Sequence, residues 1–211
     1  MTIKRGALIV IEGVDRTGKS TQCRQLVESL NKKQIRAEYT NFPDRSTEVG
    51  KVIDGYLSSK RELPDEAIHL LFSANRWEKV ESIKKMLSKG ISVILDRYCY
   101  SGVAFSAAKG LDMTWCKCPD RGLPKPDKVF FLTMPVETAE ERKGFGNERY
   151  EVLEFQKKVY NMYMQLKEDN WDVLDATRSI STIQDELLQK SLRVVDSVGY
   201  KPIDKLWMDD N

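Results

Sequence analysis

The chain has 211 residues, 41% of them hydrophobic, which is enough for one domain with a sizeable core at roughly 100–200 residues per domain. Its 34 basic side chains nearly cancel 32 acidic ones and leave a formal charge of +2, so no one-sided field favours nucleic acid or a membrane surface as partner. No apolar run reaches the ~18 residues that span a bilayer, too few residues precede the first apolar run for a secretory leader, and four scattered cysteines fit reduced thiols better than a disulfide framework; the expected location is the cytoplasm.

Along the chain, Ala7–Ile11 is a β-branched apolar run, Gly13–Gly18 is a loop, and Lys19–Leu30 takes up helical periodicity through Cys23, Leu26, Val27 and Leu30. Short buried-strand patterns recur at Ala37–Thr40, Ser92–Leu95, Val129–Thr133 and Asp172–Leu174. Helical stretches separate them at about 47–58, 65–88, 100–108, 151–168 and 180–196. This alternation predicts a parallel sheet with helices on both faces. Gly122–Asp127 (GLPKPD) stops the chain before the fourth strand. Glu140–Tyr150, charged and glycine-bearing, reads as a flap. Cys116-Lys117-Cys118 has no second Cys/His cluster to complete a zinc site.

The segment Gly13-Val14-Asp15-Arg16-Thr17-Gly18-Lys19-Ser20 fits G-x-x-x-x-G-K-[ST] in full and lies between an apolar strand and a helix, where phosphate binding requires it. Gly13 and Gly18 permit backbone conformations that a Cβ would block, so that successive N–H groups and the helix N-terminus face one anion. Lys19 is expected to reach the β- and γ-phosphates and Ser20 to hold Mg²⁺. The Asn-Lys-x-Asp signature of base-specific switch GTPases is missing: Asn31-Lys32-Lys33-Gln34 lacks its aspartate. A phosphotransferase is therefore favoured over a switch.

Ligands of an open parallel sheet gather beyond the carboxyl ends of its strands. There the sequence sets Arg45 after the second strand, Arg97 after the third, and Arg16 within the phosphate loop. Guanidinium groups grip phosphate oxygens bidentately and stay charged at any working pH, which suits a site for two anionic substrates. Asp96 closes the third strand, the position of a carboxylate that organises a Mg²⁺ shell. Phe72 and Arg76 are four apart in a helical stretch and share a face, offering a ring for base stacking beside a donor fork. The single histidine, His69, reads as a helix-face residue with no catalytic part.

Five blocks in order, GVDRTGKSTQ (13–22), NFPDRSTEVGK (41–51), HLLFSANRWE (69–78), DRYCYSGVAFSAAKG (96–110) and GLPKPD (122–127), give the chain a strong resemblance to the thymidylate kinases of the eukaryotic and poxvirus kind, over nearly its whole length. The resemblance implies a P-loop NTPase three-layer α/β fold with a five-stranded parallel sheet of order 2-3-1-4-5, as in nucleoside monophosphate kinases. It also implies one domain over 1–211 with a short lid at about 136–150, ATP with Mg²⁺ as donor, dTMP as acceptor, and a homodimer. By the same resemblance, Gly13, Arg16, Thr17, Gly18, Lys19, Ser20 and Thr21 bind ATP phosphates, with Arg142 and Arg178 near adenine. Arg45 and Arg97 hold the acceptor phosphate and Asp15 its 3′-hydroxyl. Phe72 stacks on thymine and Arg76 reaches its O4, while Phe42, Ser101, Phe105 and Tyr150 line the pocket. Tyr150 would crowd a 2′-hydroxyl. Catalysis is assigned to Arg16, Lys19, Asp15, Arg97 and Asp96, and the metal to Ser20 and Asp96.

Two alternatives remain open at this point. Another small P-loop kinase is possible, and one acting on a neutral deoxynucleoside hydroxyl would need a carboxylate base, for which Glu38 and Asp44 are the candidates. A nucleotide-binding protein without catalysis is the other, although Lys19, Ser20, Arg16, Asp96 and Arg97 are all in place.

Overall fold

The protein is described from a computed structural model, which covers residues 4–135, 138 and 148–208. Five parallel strands, β1 (Leu8–Gly13), β2 (Ala37–Asn41), β3 (Ser92–Asp96), β4 (Lys128–Thr133) and β5 (Trp171–Asp175), form one sheet of order β2-β3-β1-β4-β5. β1 is central and every one of its residues is buried, as expected for a strand covered on both faces. It pairs Leu8 with Val93 and Ile11 with Asp96 on one side, and Ile9 with Lys128 and Gly13 with Leu132 on the other.

The described helices are α1 (Lys19–Lys32), α2 (Glu48–Leu57), α3 (Asp65–Trp77), α4 (Val80–Ser88), α5 (Cys99–Ala108), α6 (Met113–Lys117), α7 (Leu153–Leu166) and α8 (Ile180–Val198), with a 3₁₀ turn at Cys118–Asp120. Residues of α1 and α8 pack with Ile9, Ile11, Ile94 and Phe130 on one face of the sheet. Residues of α4, α5 and α7 pack with Leu8, Val10, Val93 and Phe131 on the other. Alternate residues of β1 thus serve opposite cores, the period-2 consequence of a pleated strand. A smaller cluster joins Ile53, Tyr56 and Leu57 of α2 to Ile68 of α3.

Two expectations need correction. The helical stretch at 65–88 is two helices, broken at Glu78 and Lys79, where side chains are tied to the loop after β2: Glu78 accepts from Thr47 Oγ1 at 2.8 Å and Lys79 pairs with Asp44 at 2.6 Å. The stretch at 109–121, read from sequence without an element, holds α6 and the 3₁₀ turn. Asp112 caps α6 by accepting from the Trp115 N–H, and Pro119 sits inside the turn.

The sheet order presents the loops after β1, β2 and β3 side by side at one edge. The chain from Glu148 to Val152 returns to that edge before α7 begins. The helices fix what those loops carry.

Candidate active site

A cavity of about 690 Å³ opens at this edge and is lined by the phosphate loop, both post-strand arginines, α3, α5 and the Glu148–Glu151 segment. Gly13 enters the loop at φ 149° and lies so close to β4 that an added Cβ would sit 2.2 Å from the Leu132 carbonyl oxygen. Gly18 begins α1 at φ 87°. Both are conformations that other residues adopt at a penalty, which is why glycine stands there. Thr17 donates to the Val14 carbonyl at 3.0 Å, and Lys19 Nζ donates to the same carbonyl at 2.7 Å, so the loop is closed upon itself. Burial lowers the Lys19 ammonium to about 8, and the nearby Arg97 charge works in the same direction.

Arg16 has φ 64° and pairs with Glu151 at 2.7 Å. Arg97, at φ 67°, pairs with Asp15 and donates to the Gly13 carbonyl and Ser101 Oγ, each at 3.2 Å. A non-glycine residue in the left-handed region is a held conformation, and two of them bear the arginines of this site. Arg45 bridges Asp54 and Glu148, each at 2.7 Å. All three guanidinium groups are therefore matched to carboxylates and line the cavity that an anion would enter. Ser20 Oγ donates to Asp96 at 2.5 Å, and Tyr39 donates to the same carboxylate at 3.1 Å. The Ser20 hydroxyl at the start of α1 and the Asp96 carboxylate at the end of β3 form an oxygen set that fits Mg²⁺, a cation that keeps several of its waters.

Away from the phosphate loop, the cavity is lined by Phe72 and Arg76 of α3 and by Ser101, Gly102 and Phe105 of α5, with the Arg76 guanidinium packed against Gly102, and by Phe42, whose ring lies 5.8 Å from that of Tyr98. Tyr150 rests against Phe105 at 5.3 Å and Phe155 at 5.4 Å. Arg97 lies 5.5 Å from the Phe105 ring. Thr21 also lines the cavity, whereas Thr17 is buried beneath it. Arg178 is apart from this lining, paired with Glu186 at 2.8 Å. Arg142 and most of the expected lid lie outside the described residues.

Four residues of the site escaped the sequence reading. Glu12 is fully buried and accepts from the Tyr98 and Ser101 N–H groups, from Ser101 Oγ and from Tyr163 Oη. It thereby caps α5 from a neighbouring strand, and burial raises its pKa from the usual carboxylate value. A glutamate ending an apolar strand was its only signal. Gln156 of α7, also buried, accepts from the Asp15 N–H at 3.0 Å and donates to the Asp15 carboxylate at 2.8 Å, which ties the phosphate loop to α7. Asp120, in the unforeseen 3₁₀ turn, takes Arg76 in a two-bond grip. Glu148 meets Arg45 from 103 residues away. The last two had no local signal at all. His69 is a buried member of α3, with Nδ1 2.8 Å from Ser106 Oγ and Nε2 2.9 Å from the Cys116 carbonyl.

The family model of thymidylate kinases matches residues 11–187 of this chain. A human thymidylate kinase is 48% identical over 211 residues, covering 98% of this chain and all of the relative. A putative thymidylate kinase of invertebrate iridescent virus 6 is 48% identical over 184 residues, covering 87% of this chain and 86% of its own. Among solved structures, thymidylate kinase from Candida albicans superposes with a TM-score of 0.85 at 37% identity, covering 95% of this chain and 98% of its own.

Proposed function

The chain belongs to the thymidylate kinase family, and from that membership we infer that its cavity passes the γ-phosphoryl group of ATP to dTMP, giving ADP and dTDP on the way to dTTP. The observation that carries the reading is that one cavity joins a complete phosphate loop to a second pocket with its own arginines and an aromatic wall. Two anionic substrates fit such a cavity end to end.

The donor phosphates take the loop N–H groups and Lys19, with Thr21 and Gly18 beside them. The acceptor phosphate takes Arg45 and Arg97, exchanging their carboxylate partners for phosphate oxygens. Asp15 receives the 3′-hydroxyl, and Phe72 stacks on the base while Arg76 donates to O4. Tyr150, braced by Phe105 and Phe155, crowds a 2′-hydroxyl and selects deoxyribose. The attacking phosphate oxygen is already ionised, so no general base is required. Arg16, its backbone fixed by the loop, exchanges Glu151 for the phosphoryl group in flight and stabilises the charge there. Ser20 and Asp96 would hold Mg²⁺, which when bound would supply charge neutralisation for the donor phosphates. The deoxynucleoside-kinase alternative loses support here: an ionised acceptor makes a carboxylate base unnecessary, and one of its two candidates, Asp44, is engaged with Lys79.

Leu70 and Trp77 fall on one face of α3 seven residues apart, and both are exposed, as is Trp115. This apolar surface supports a homodimer, which sedimentation at micromolar concentration tests. The four cysteines are free thiols, in keeping with a cytosolic enzyme.

The test of the function is ADP release across a panel of nucleoside monophosphates. dTMP is expected well ahead of dCMP, dGMP and AMP. Equal turnover of dCMP would overturn the assigned pocket.

A further inference from the structure

Arg76 is a cation only 2% exposed, and Asp120 is 0% exposed. A buried pair of this kind holds only if its hydrogen-bond geometry repays desolvation. Here Nε donates to Asp120 Oδ1 at 3.0 Å and Nη2 to Oδ2 at 2.6 Å, which is the fork-to-fork arrangement. The carboxylate is itself fixed, since Oδ1 also accepts from Ser73 Oγ at 2.7 Å. The same Ser73 Oγ lies 3.0 Å from the Pro119 carbonyl oxygen, to which Trp77 Nε1 donates at 2.8 Å. α3 thus grips the 3₁₀ turn at the Asp120 carboxylate and at the Pro119 carbonyl before it.

A second constraint comes from α5. A Cβ on Gly102 would lie 2.8 Å from Arg76 Nη2 and 2.9 Å from Nη1. The guanidinium lies flat against a helix backbone that only a glycine leaves open. Held by Asp120 along one edge and by Gly102 across its face, the fork has committed Nε–H and one N–H of Nη2. Nη1 has no hydrogen-bond partner among the described residues, and Arg76 lines the cavity beside Phe72.

We propose that Asp120 is a specificity-determining positioning residue: together with Gly102 it fixes Arg76 as a one-sided donor that cannot withdraw from a base presenting another donor. The proposal rests on the reading of Arg76 as the group that meets the base. A loose arginine could swing aside and tolerate an exocyclic amino group. A clamped one leaves both donors buried and unpaired, and rejection of the wrong base comes from that unpaired state. The selectivity of the pocket is therefore set from a turn that touches no substrate.

Three variants are compared by kcat and KM for dTMP and dCMP, with equilibrium ATP affinity as the check that the fold is intact. Asp120→Asn keeps the shape but turns an amide N–H toward the fork. Gly102→Ala displaces the same fork from the opposite side without unpairing a buried charge, so it remains informative if the first variant folds poorly. Both are expected to raise KM for dTMP and to lower the ratio of kcat/KM for dTMP over dCMP by about tenfold or more, with ATP affinity unchanged. Arg76→Ala is the third variant. If it leaves the ratio intact, the reading of Arg76 as the base-facing group fails. If it collapses the ratio while Gly102→Ala and Asp120→Asn preserve it, that reading stands and the clamp is overturned.

Discussion

The end of the cavity proposed to hold the donor is built largely on one stretch of chain, the phosphate loop and the start of α1, joined by Asp96 from the end of β3, and the ligands proposed there are mostly backbone N–H groups. The acceptor end is assembled from α3, α5, the loops after β2 and β3, and the segment before α7, and its working groups are side chains held by other side chains. A backbone cradle is specified once strand, glycines and helix are in place. A side-chain pocket depends on partners such as Glu12, Asp120 and Gln156, which come from elsewhere in the chain. Damage to the donor end should therefore strike the chemical step, and damage to the acceptor end should strike recognition or stability.

The largest effect is expected at Arg16, where the two ends meet. Arg16→Gly should lower kcat on the order of 10³–10⁵ with substrate affinities little changed, the signature of a group acting in the transition state. Arg149→Ala should lose far less, because Arg149, unlike Arg16, is not part of the cavity lining and points to Glu62 at 2.6 Å and the Tyr56 carbonyl at 2.9 Å. Single-turnover rates decide between them. If Arg149→Ala abolished the step while Arg16→Gly retained it, the catalytic arginine would not be in the loop.

Next comes Glu12, which supports the acceptor end from beneath. Glu12→Ala leaves two N–H groups and two hydroxyls of a buried network without their acceptor. A loss of about 3 kcal/mol in folding stability is expected, since buried unsatisfied groups cost roughly 1–3 kcal/mol each but relax together. At about 2–4 °C per kcal/mol for a chain of this size, thermal unfolding would register it. Glu12→Gln, which keeps an acceptor for the N–H groups, should lose less than half as much. Equal losses would make the charge, not the hydrogen bonding, the essential feature.

Arg76→Ala is expected to raise KM for dTMP by roughly ten- to a hundredfold, the range for losing one hydrogen bond from a charged donor, while ATP affinity stays nearly constant; thermal stability should fall as well, because the buried Asp120 carboxylate is left unpaired. Titration of both nucleotides checks it, and a matching loss in ATP affinity would erase the distinction between the two ends.

The smallest effect is in the pH response of the donor end. With Lys19 lowered to about 8 in the free protein, a phosphate beside it favours the charged form and raises it. ATP affinity from this group is then complete below that value and declines as pH rises above it. Binding should take up a fraction of a proton at about pH 9 and almost none near neutrality. Calorimetry in buffers of different ionisation enthalpy measures the uptake, and its absence at high pH would mean that Lys19 is already fully charged in the free enzyme.

Most of the architecture was legible because it is written locally. The phosphate loop follows from glycines at fixed spacing between an apolar strand and a helix, the sheet from β-branched runs alternating with helical periods, and the resemblance supplied the strand order that the alternation alone left open. Arg45 and Arg97 could be nominated because residues just past parallel strands share one edge. What only the tertiary structure decided are pairings between segments far apart in sequence: Glu148 with Arg45, Gln156 with Asp15, Glu12 with the start of α5, Asp120 with Arg76. A buried ion pair or a cap supplied from another strand leaves no periodic trace, because burial comes from packing and the partner is chosen by three-dimensional proximity. The helix broken at Glu78 and Lys79 is the same lesson in the backbone, where contacts to the loop after β2 accompany a stop that local periodicity runs through. The sequence marked out the phosphate loop, and the packing of α3, α5 and the 3₁₀ turn decided how Arg76 is held, since a side chain's direction is set by the groups that close around it.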